Sequence, residues 1–399
     1  MRNRVILIIV ALLALIPNNA RATRVMVVSD IHYMAKCLYE GSDLFIRALR
    51  AGDGKLTQHS DELMEALAHE VHERMPDALI VTGDLTFNGE KESHIALASW
   101  FESIEAEGAS VWVIPGNHDI NVTTARGFNV DSWYYTESVT PEAFRSIYAD
   151  FMKPPEGKAN LSYTVEVNDD LIIPMLDVSF YQGGAQTFGM FLASHADWLE
   201  NTLQHADGAT AVTATHHNLL PHTEFLKDSF VMMGNESMLN LMKIYGVRLN
   251  LSGHIHAQHI AKSDGVTDAA LGAFCTWPHR YALLTLEDGT LTYQAMSLSQ
   301  DFLPEGFLSE SREWAEQINR EKVSAALENV SDENRELMAD YATRFNLAYF
   351  SGTYRSDDPS WKADPAYALW SAQKENIFWQ YMSLVMEEHN GDNLYCRIE

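Results

Sequence analysis

Five short segments of this chain run from an apolar stretch straight into residues able to bind a divalent cation: VMVVSDIH, ALIVTGD, VWVIPGNHD, AVTATHH and VRLNLSGHIH. The donors they carry are Asp30 and His32, Asp84, Asn117 with His118, His216 with His217, and His254 and His256. Carboxylate, imidazole and amide oxygen together, with no thiolate, suit first-row divalent ions such as manganese, iron, cobalt or zinc. Asp30-x-His32 and His254-x-His256 each place two donors on one side of an extended segment. Gly83, Gly116 and Gly253 allow the backbone to turn tightly beside such ions. Any one segment alone says little, because a strand-end Asp commonly caps a turn or a helix. A lone His is more often a surface or satisfied core residue than a ligand. Five segments of the same layout point to one centre.

Parallel strands can bring such segments together, because ligands in α/β sheets bind just beyond the carboxyl ends of the strands. Strands are expected at 25–28, 78–81 and 111–114, and later at 161–167, 171–176, 209–215 and 247–251. Residues 282–286 and 291–296 read as a hairpin turning at Asp288-Gly289. Between the first strands, Leu63, Leu67 and Val71 have helical spacing, ended by Pro76. Ile95, Trp100, Phe101 and Ile104 mark a second helix, which Gly108 can close. Alternating strands and helices predict an α/β domain over residues 23–300. Beyond Leu303 the composition changes, and helices are expected at 309–329, 332–347 and 367–388. Residues 301–399 are therefore expected to form a helical accessory domain.

With 399 residues, 46% of them hydrophobic, the chain can bury a large core, which excludes bulk disorder. Its formal charge of −27 repels polynucleotides and anionic membranes and favours a small substrate. The three cysteines, Cys37, Cys275 and Cys396, form no CxxC pair and no disulfide framework, and are expected to be free, mostly buried thiols. Arg2, Arg4, the apolar run 5–16 and Ala20-Arg21-Ala22 read as a signal peptide over residues 1–22. The chain is then exported to the periplasm or beyond; an uncleaved leader would make it membrane-anchored. No stable membrane insertion is expected once the leader is removed.

The motif set DIH, GD, GNHD, His216 and GHIH resembles the calcineurin-like metallophosphoesterases, over about residues 24–300. The longer runs GDLTFNGEKESH, IPGNHDIN, HHNLLPH, SGHIHAQHI and WPHRYA are similar to bacterial class III cyclic-nucleotide phosphodiesterases with an added C-terminal helical domain. YALWSAQKENIFWQYM in the tail shares that look. The resemblance implies an αββα sandwich and a phosphoester hydrolase holding two divalent ions. It implies Asp30, His32 and His256 on one ion, Asn117, His216 and His254 on the other, and Asp84 bridging both. His217 is the neighbouring candidate to His216 and faces the substrate if it is not the ligand. The ions would lie about 3.5–4 Å apart and share a hydroxide that attacks phosphorus in line. His118 would contact the phosphoryl group and protonate the leaving oxygen. Asp119 either orients that imidazole or caps the loop. Phe87 stands where purple acid phosphatases carry a metal-binding Tyr, so a tyrosinate-bound ferric site is not expected. The substrate expected first is a 3′,5′-cyclic nucleotide; a broad extracytoplasmic phosphate-scavenging esterase comes second, and a non-catalytic binding module last.

Overall fold

A computed structural model describes residues 21–39, 41–155, 160–227, 229–327, 330–388 and 391–398. The expected leader therefore lies, up to residue 20, outside the described residues. Along the chain come β1 (Thr23–Val28), α1 (Asp43–Ala51), α2 (Ser60–Arg74), β2 (Ala78–Thr82), α3 (Lys91–Ala106) and β3 (Ser110–Ile114). Next are β4 (Arg126–Phe128), β5 (Trp133–Tyr135), α4 (Pro141–Ile147), β6 (Tyr163–Asn168), β7 (Leu171–Leu176) and α5 (Ala193–Gln204). Then follow β8 (Thr210–Ala211), β9 (Thr213–Thr215), α6 (Asn235–Tyr245), β10 (Leu249–Ser252), β11 (His259–Ser263) and β12 (Val266–Ala270). After β13 (Arg280–Glu287) and β14 (Thr290–Ser297), the tail holds α7 (Phe307–Ala325), α8 (Asp332–Phe350), α9 (Ser360–Ala363), α10 (Pro365–Ser371), α11 (Ile377–Glu387) and β15 (Tyr395–Ile398).

Two sheets carry the fold. One has the order β15-β14-β13-β1-β2-β3, and the other runs β11-β12-β10-β9-β7-β6 with β8 beside β7. β1, β2 and β3 are parallel, and so are β7, β9, β10 and β12. Their apolar sequences explain this: Val25 to Val28 and Ala78 to Val81 are buried on both faces, as strands sandwiched between layers must be. One contiguous core joins both sheets, from Val27 and Ile80 to Ile173, Ala214 and Leu251, and takes in Leu63, Leu67 and Val71 of α2. A second cluster sets Leu199 of α5 and Met238 and Met242 of α6 against the other sheet. This is the expected αββα sandwich.

Several expected elements differ. The segment 209–215 breaks at Val212 into β8 and β9, because β7 pairs with the two pieces separately. The helix expected at 367–388 is two helices; Asn376 starts the second by accepting a bond from the Phe378 amide. Ile95, counted on a buried helical face, is 50% exposed. Several elements had no expectation, among them β11, β12 and β15. β11 and β12 form a hairpin through Asp264 and Gly265, both at positive φ, as the Asp288-Gly289 turn also is. β15 returns from the helical tail to pair antiparallel with β14, so the tail contributes an edge strand to the first sheet. Among the described residues no helix is long and apolar enough to cross a membrane.

The tail also grips the sandwich through its own core. Val323, Phe345, Tyr349, Trp370 and Met382 cluster with Ile255 and Ala257, which lie in and beside the GHIH turn. His279, at the entrance to β13, adds a polar tie: its Nδ1 bonds the Phe274 carbonyl and its Nε2 pairs with the Ser311 hydroxyl of α7. Burial pushes this imidazole down to about 4. Above pH 6.5 the ring is neutral in both folded and unfolded chains. As pH falls from 6.5 towards 4, the unfolded chain takes up a proton that the folded chain refuses, and stability is lost. Between pH 7.5 and 5, His279→Gln should therefore lose about 2 kcal/mol less stability than the parent, measured by urea unfolding. Equal pH dependence in the two proteins would contradict this role.

Candidate metal centre

The carboxyl ends of β1, β2, β3, β9 and β10 converge in one cleft between the sheets. The loops leaving them are knitted by backbone bonds, from the Asp30 amide to the Gly83 carbonyl, from His32 to Asp84 and from Gly253 to His216. Two glycines permit the approach. A Cβ on Gly116 would collide with the Asp84 carboxylate, and one on Gly253 would collide with the Ser29 hydroxyl. Strain collects at the same place: Asp30, His32, Asp84, His254 and His256 all adopt positive φ, from 45° to 71°. Each such residue costs on the order of 1 kcal/mol, and such strain persists where surrounding structure over-determines it.

The side chains gather in two groups. Asp30, His32, Asp84 and His256 form one, and Asp84, His216 and His254 form the other; within each, the donor atoms lie within 4.8 Å of one another. Asp84 belongs to both. Its Oδ2 lies 3.6 Å from His32 Nε2, and its Oδ1 lies 3.4 Å from His216 Nε2. Asn117 joins the second group through Oδ1, 3.1 Å from His216 Nε2. In the first group, His256 Nε2 lies 3.3 Å from Asp30 Oδ1 and 3.1 Å from His32 Nε2. All seven expected ligands are thus brought together.

The donor set fits divalent cations. His216 gives its Nδ1–H to the Thr82 carbonyl at 2.9 Å, and His256 gives its own to Asp53 at 2.6 Å, which leaves both Nε2 atoms as donors. Burial alone would lower these two imidazoles. The carboxylates of Asp84 beside His216 and of Asp53 beside His256 outweigh it and raise both to about 9. The ion-free site therefore draws positive charge. His254 behaves oppositely: burial, then the neighbouring His216, pushes it down to about 3. Its buried Nε2 has no hydrogen-bond partner. A neutral buried imidazole nitrogen without a partner is costly unless a cation takes the lone pair.

His217 stands apart from the donors. Its Nε2 donates to the Thr187 carbonyl at 3.0 Å, and its ring packs on that of His254 at 4.4 Å. It packs against a candidate donor rather than joining either group. His118 sits at the rim, its ring 4.9 Å from that of His32 and its amide bonded to Asp84 Oδ1. Its Nδ1 is held by the Phe87 carbonyl at 3.0 Å and by Asn88 Oδ1 at 3.1 Å. The Phe87 ring itself turns away, edge-on to Phe45.

The expected dyad of Asp119 with the His118 imidazole does not form. The Asp119 carboxylate is fully buried and accepts from the amides of Leu85, Thr86 and Gly116 and from the Thr86 hydroxyl. Burial, helped by the charge of Asp84, pushes it up to about 7 despite those donors. Asp119 is a loop cap: it pins the turn carrying Asp84 to the turn carrying Asn117. Asp119→Ala should cost at least about 3 kcal/mol, because three buried amides lose their acceptor. It should also weaken metal uptake. Denaturation and metal analysis would check both, and unchanged stability would refute the assignment.

Two supporting acids have no strand-end signal. Asp53, in the loop after α1, orients His256 and is itself paired with Lys55 at 3.2 Å. Asp268 in β12 is fully buried and accepts from the Leu219 and Leu220 amides, Asn250 and Ser252. It fixes the segment after His216 against the strand leading to His254.

The model of the calcineurin-like phosphoesterase family matches residues 23–258, a stretch that contains every one of these donors. The chain belongs to that family. A second match, over residues 306–392, is to the C-terminal domain of cyclic nucleotide phosphodiesterase. A protein from Rhodococcus erythropolis, described as a probable cyclic nucleotide phosphodiesterase, is 25% identical over 202 residues. That match covers 50% of this chain and 58% of the relative, so little more than half of the relative's length is spanned. Among solved structures, a dimetal phosphatase from Danio rerio aligns at 13% identity and TM-score 0.46, covering 69% of this chain and 96% of its own. The protein GAP50, the anchor in the inner membrane complex of Plasmodium, aligns at 10% identity and TM-score 0.42, covering 70% and 85%.

Proposed function

We propose that this calcineurin-like phosphoesterase is a binuclear metal-dependent phosphodiesterase acting on 3′,5′-cyclic nucleotides. One observation carries the reading: a single carboxylate, Asp84, is shared by two groups of donors. Asp30, His32 and His256 would hold one cation, Asn117, His216 and His254 the other, and Asp84 both. Bound there, two divalent ions would polarise a phosphoryl oxygen and make water nucleophilic near neutral pH.

The remaining work falls to the chain. Asp30 and Asp84 offset only part of the charge of two divalent ions, so an anionic phosphoester meets a positive pocket within an acidic protein. Asn117 turns its Oδ1 towards His216, which leaves its amide N–H groups for a phosphoryl oxygen. His118 has Nδ1 committed to the Phe87 carbonyl, so Nε2 is the atom through which it would hand a proton to the leaving alkoxide. Burial lowers this imidazole, more than Asp84 and the Phe87 bond raise it.

The tail match and the Rhodococcus relative support a cyclic nucleotide. The leader expected from the sequence of residues 1–22 would favour the second reading, an exported esterase that scavenges phosphate. With manganese added, kcat/KM should be highest for cyclic AMP, then bis-p-nitrophenyl phosphate, then p-nitrophenyl phosphate. The monoester leading this order would favour the scavenger. Manganese-loaded protein inert to all three would overturn the enzyme reading and revive the binding module.

A further inference from the structure

A cavity of about 500 Å³ opens beside the metal centre, with His254 and His256 in its wall. That size suits a small-molecule site. Its other walls come largely from the helical tail: Ile318 of α7, Phe350 of α8, and Phe378 and Tyr381 of α11. Phe230 and Trp277 close it from two loops of the sandwich. The Phe230 ring stands 5.2 Å from that of His254, so the aromatic lining begins at the ligands themselves.

Two polar atoms of the tail wall, Asn346 Oδ1 and the Tyr381 hydroxyl, are buried without a hydrogen-bond partner, while the other polar groups of that wall are engaged. Lys322 donates to the Gly52 carbonyl, the Asn346 amide donates to Asn319 at 3.1 Å, and Asn319 donates to the Ala315 carbonyl. Apart from those two atoms, what the cavity offers a ligand is mainly apolar and aromatic surface. Six aromatic rings, Phe225 included, favour a flat ring over a sugar or an aliphatic chain, because ring faces stack with a geometry-dependent gain beyond area burial.

We propose that this cavity receives the aromatic base of the nucleotide, and that the tail helices thereby set substrate choice. The proposal rests on the phosphodiesterase reading above. A phosphoester held at the donors has this open apolar space beside it for its organic part, and three of that space's walls are tail helices. The accessory domain then acts as the base-recognition half of the active site. This explains why its core is packed directly onto Ile255, between two ligands.

The test compares three substrates with manganese-loaded full-length protein: cyclic AMP, and the same cyclic ribose phosphate with methoxy or octyloxy in place of adenine. kcat/KM for cyclic AMP should exceed that of both analogues by at least about tenfold. Phe378→Ala, which trims a half-buried wall, and Ala315→Phe, which fills the cavity, should each cut that preference at least about fivefold. Preference for octyloxy would overturn the aromatic assignment. Equal rates for all three, or a preference untouched in Phe378→Ala, would overturn the cavity's role. Hydrolysis of bis-p-nitrophenyl phosphate by the parent protein separates these outcomes from failure of the metal centre itself, which would abolish it.

Discussion

An Asp84→Ala protein should bind at most one divalent ion per chain and hydrolyse phosphoesters at least about 10³-fold more slowly. The reason is that, among the described residues, Asp84 is the one side chain shared by both groups of donors. Asp30 and His256 belong to the His32 group, although Asp30 also accepts from the His254 amide, and Asn117 approaches His216. Removing Asp84 also takes away the acceptor for the His118 amide, so the loop bearing the proposed acid loosens as well. Inductively coupled plasma analysis of the purified variant, alongside steady-state rates, would measure both effects. Asp84→Asn keeps the shape and halves the ambiguity, since its amide can still serve one ion. A folded Asp84→Ala protein with parental metal content and rate would end the binuclear reading.

His118→Ala should behave differently. Both ions should remain, because His118 Nδ1 is engaged by Phe87 and the imidazole belongs to neither donor group. Turnover of cyclic AMP should fall by roughly 10²–10⁴, the usual worth of a positioned acid. The loss should be far smaller for bis-p-nitrophenyl phosphate, whose nitrophenolate leaves without needing a proton. That contrast distinguishes a proton donor from a group that merely fills space. An equal loss for both substrates would assign His118 to binding the phosphoryl group instead, and loss of metal would contradict the assignment altogether.

The two variants bear on different parts of the same design. Asp84 sits at the bottom of the cleft, where backbone strain and glycine contacts fix the donors. His118 sits at the rim, beside the His32 ring and the Asp84 carboxylate. The tail would then be needed for discrimination and the sandwich for chemistry. Loss of base preference with catalysis retained is the signature expected of tail variants.

The local sequence determined the strands and their polar ends. Runs such as VMVV and ALIV read as two-face-buried strands, and each is followed by donors, so the candidate donors were readable from type and spacing, while the choice of seven among them came from the family resemblance. The Asp288-Gly289 hairpin was readable for the same local reason, a turn that needs positive φ. What only the tertiary structure decided is which residues answer one another across large separations. Asp119 could orient His118 or cap the loop; three backbone amides from two different turns claim its carboxylate, and sequence proximity to His118 gives no hint of them. His216 and His217 are adjacent and chemically equal, and only the packing of their rings separates donor from buttress. Asp53 reaches His256 from 203 residues away, and β15 finds β14 after five helices. Spacing reports the conformation of a short segment; the partners of a buried polar group are set by how distant segments pack, and that is a property of the whole fold.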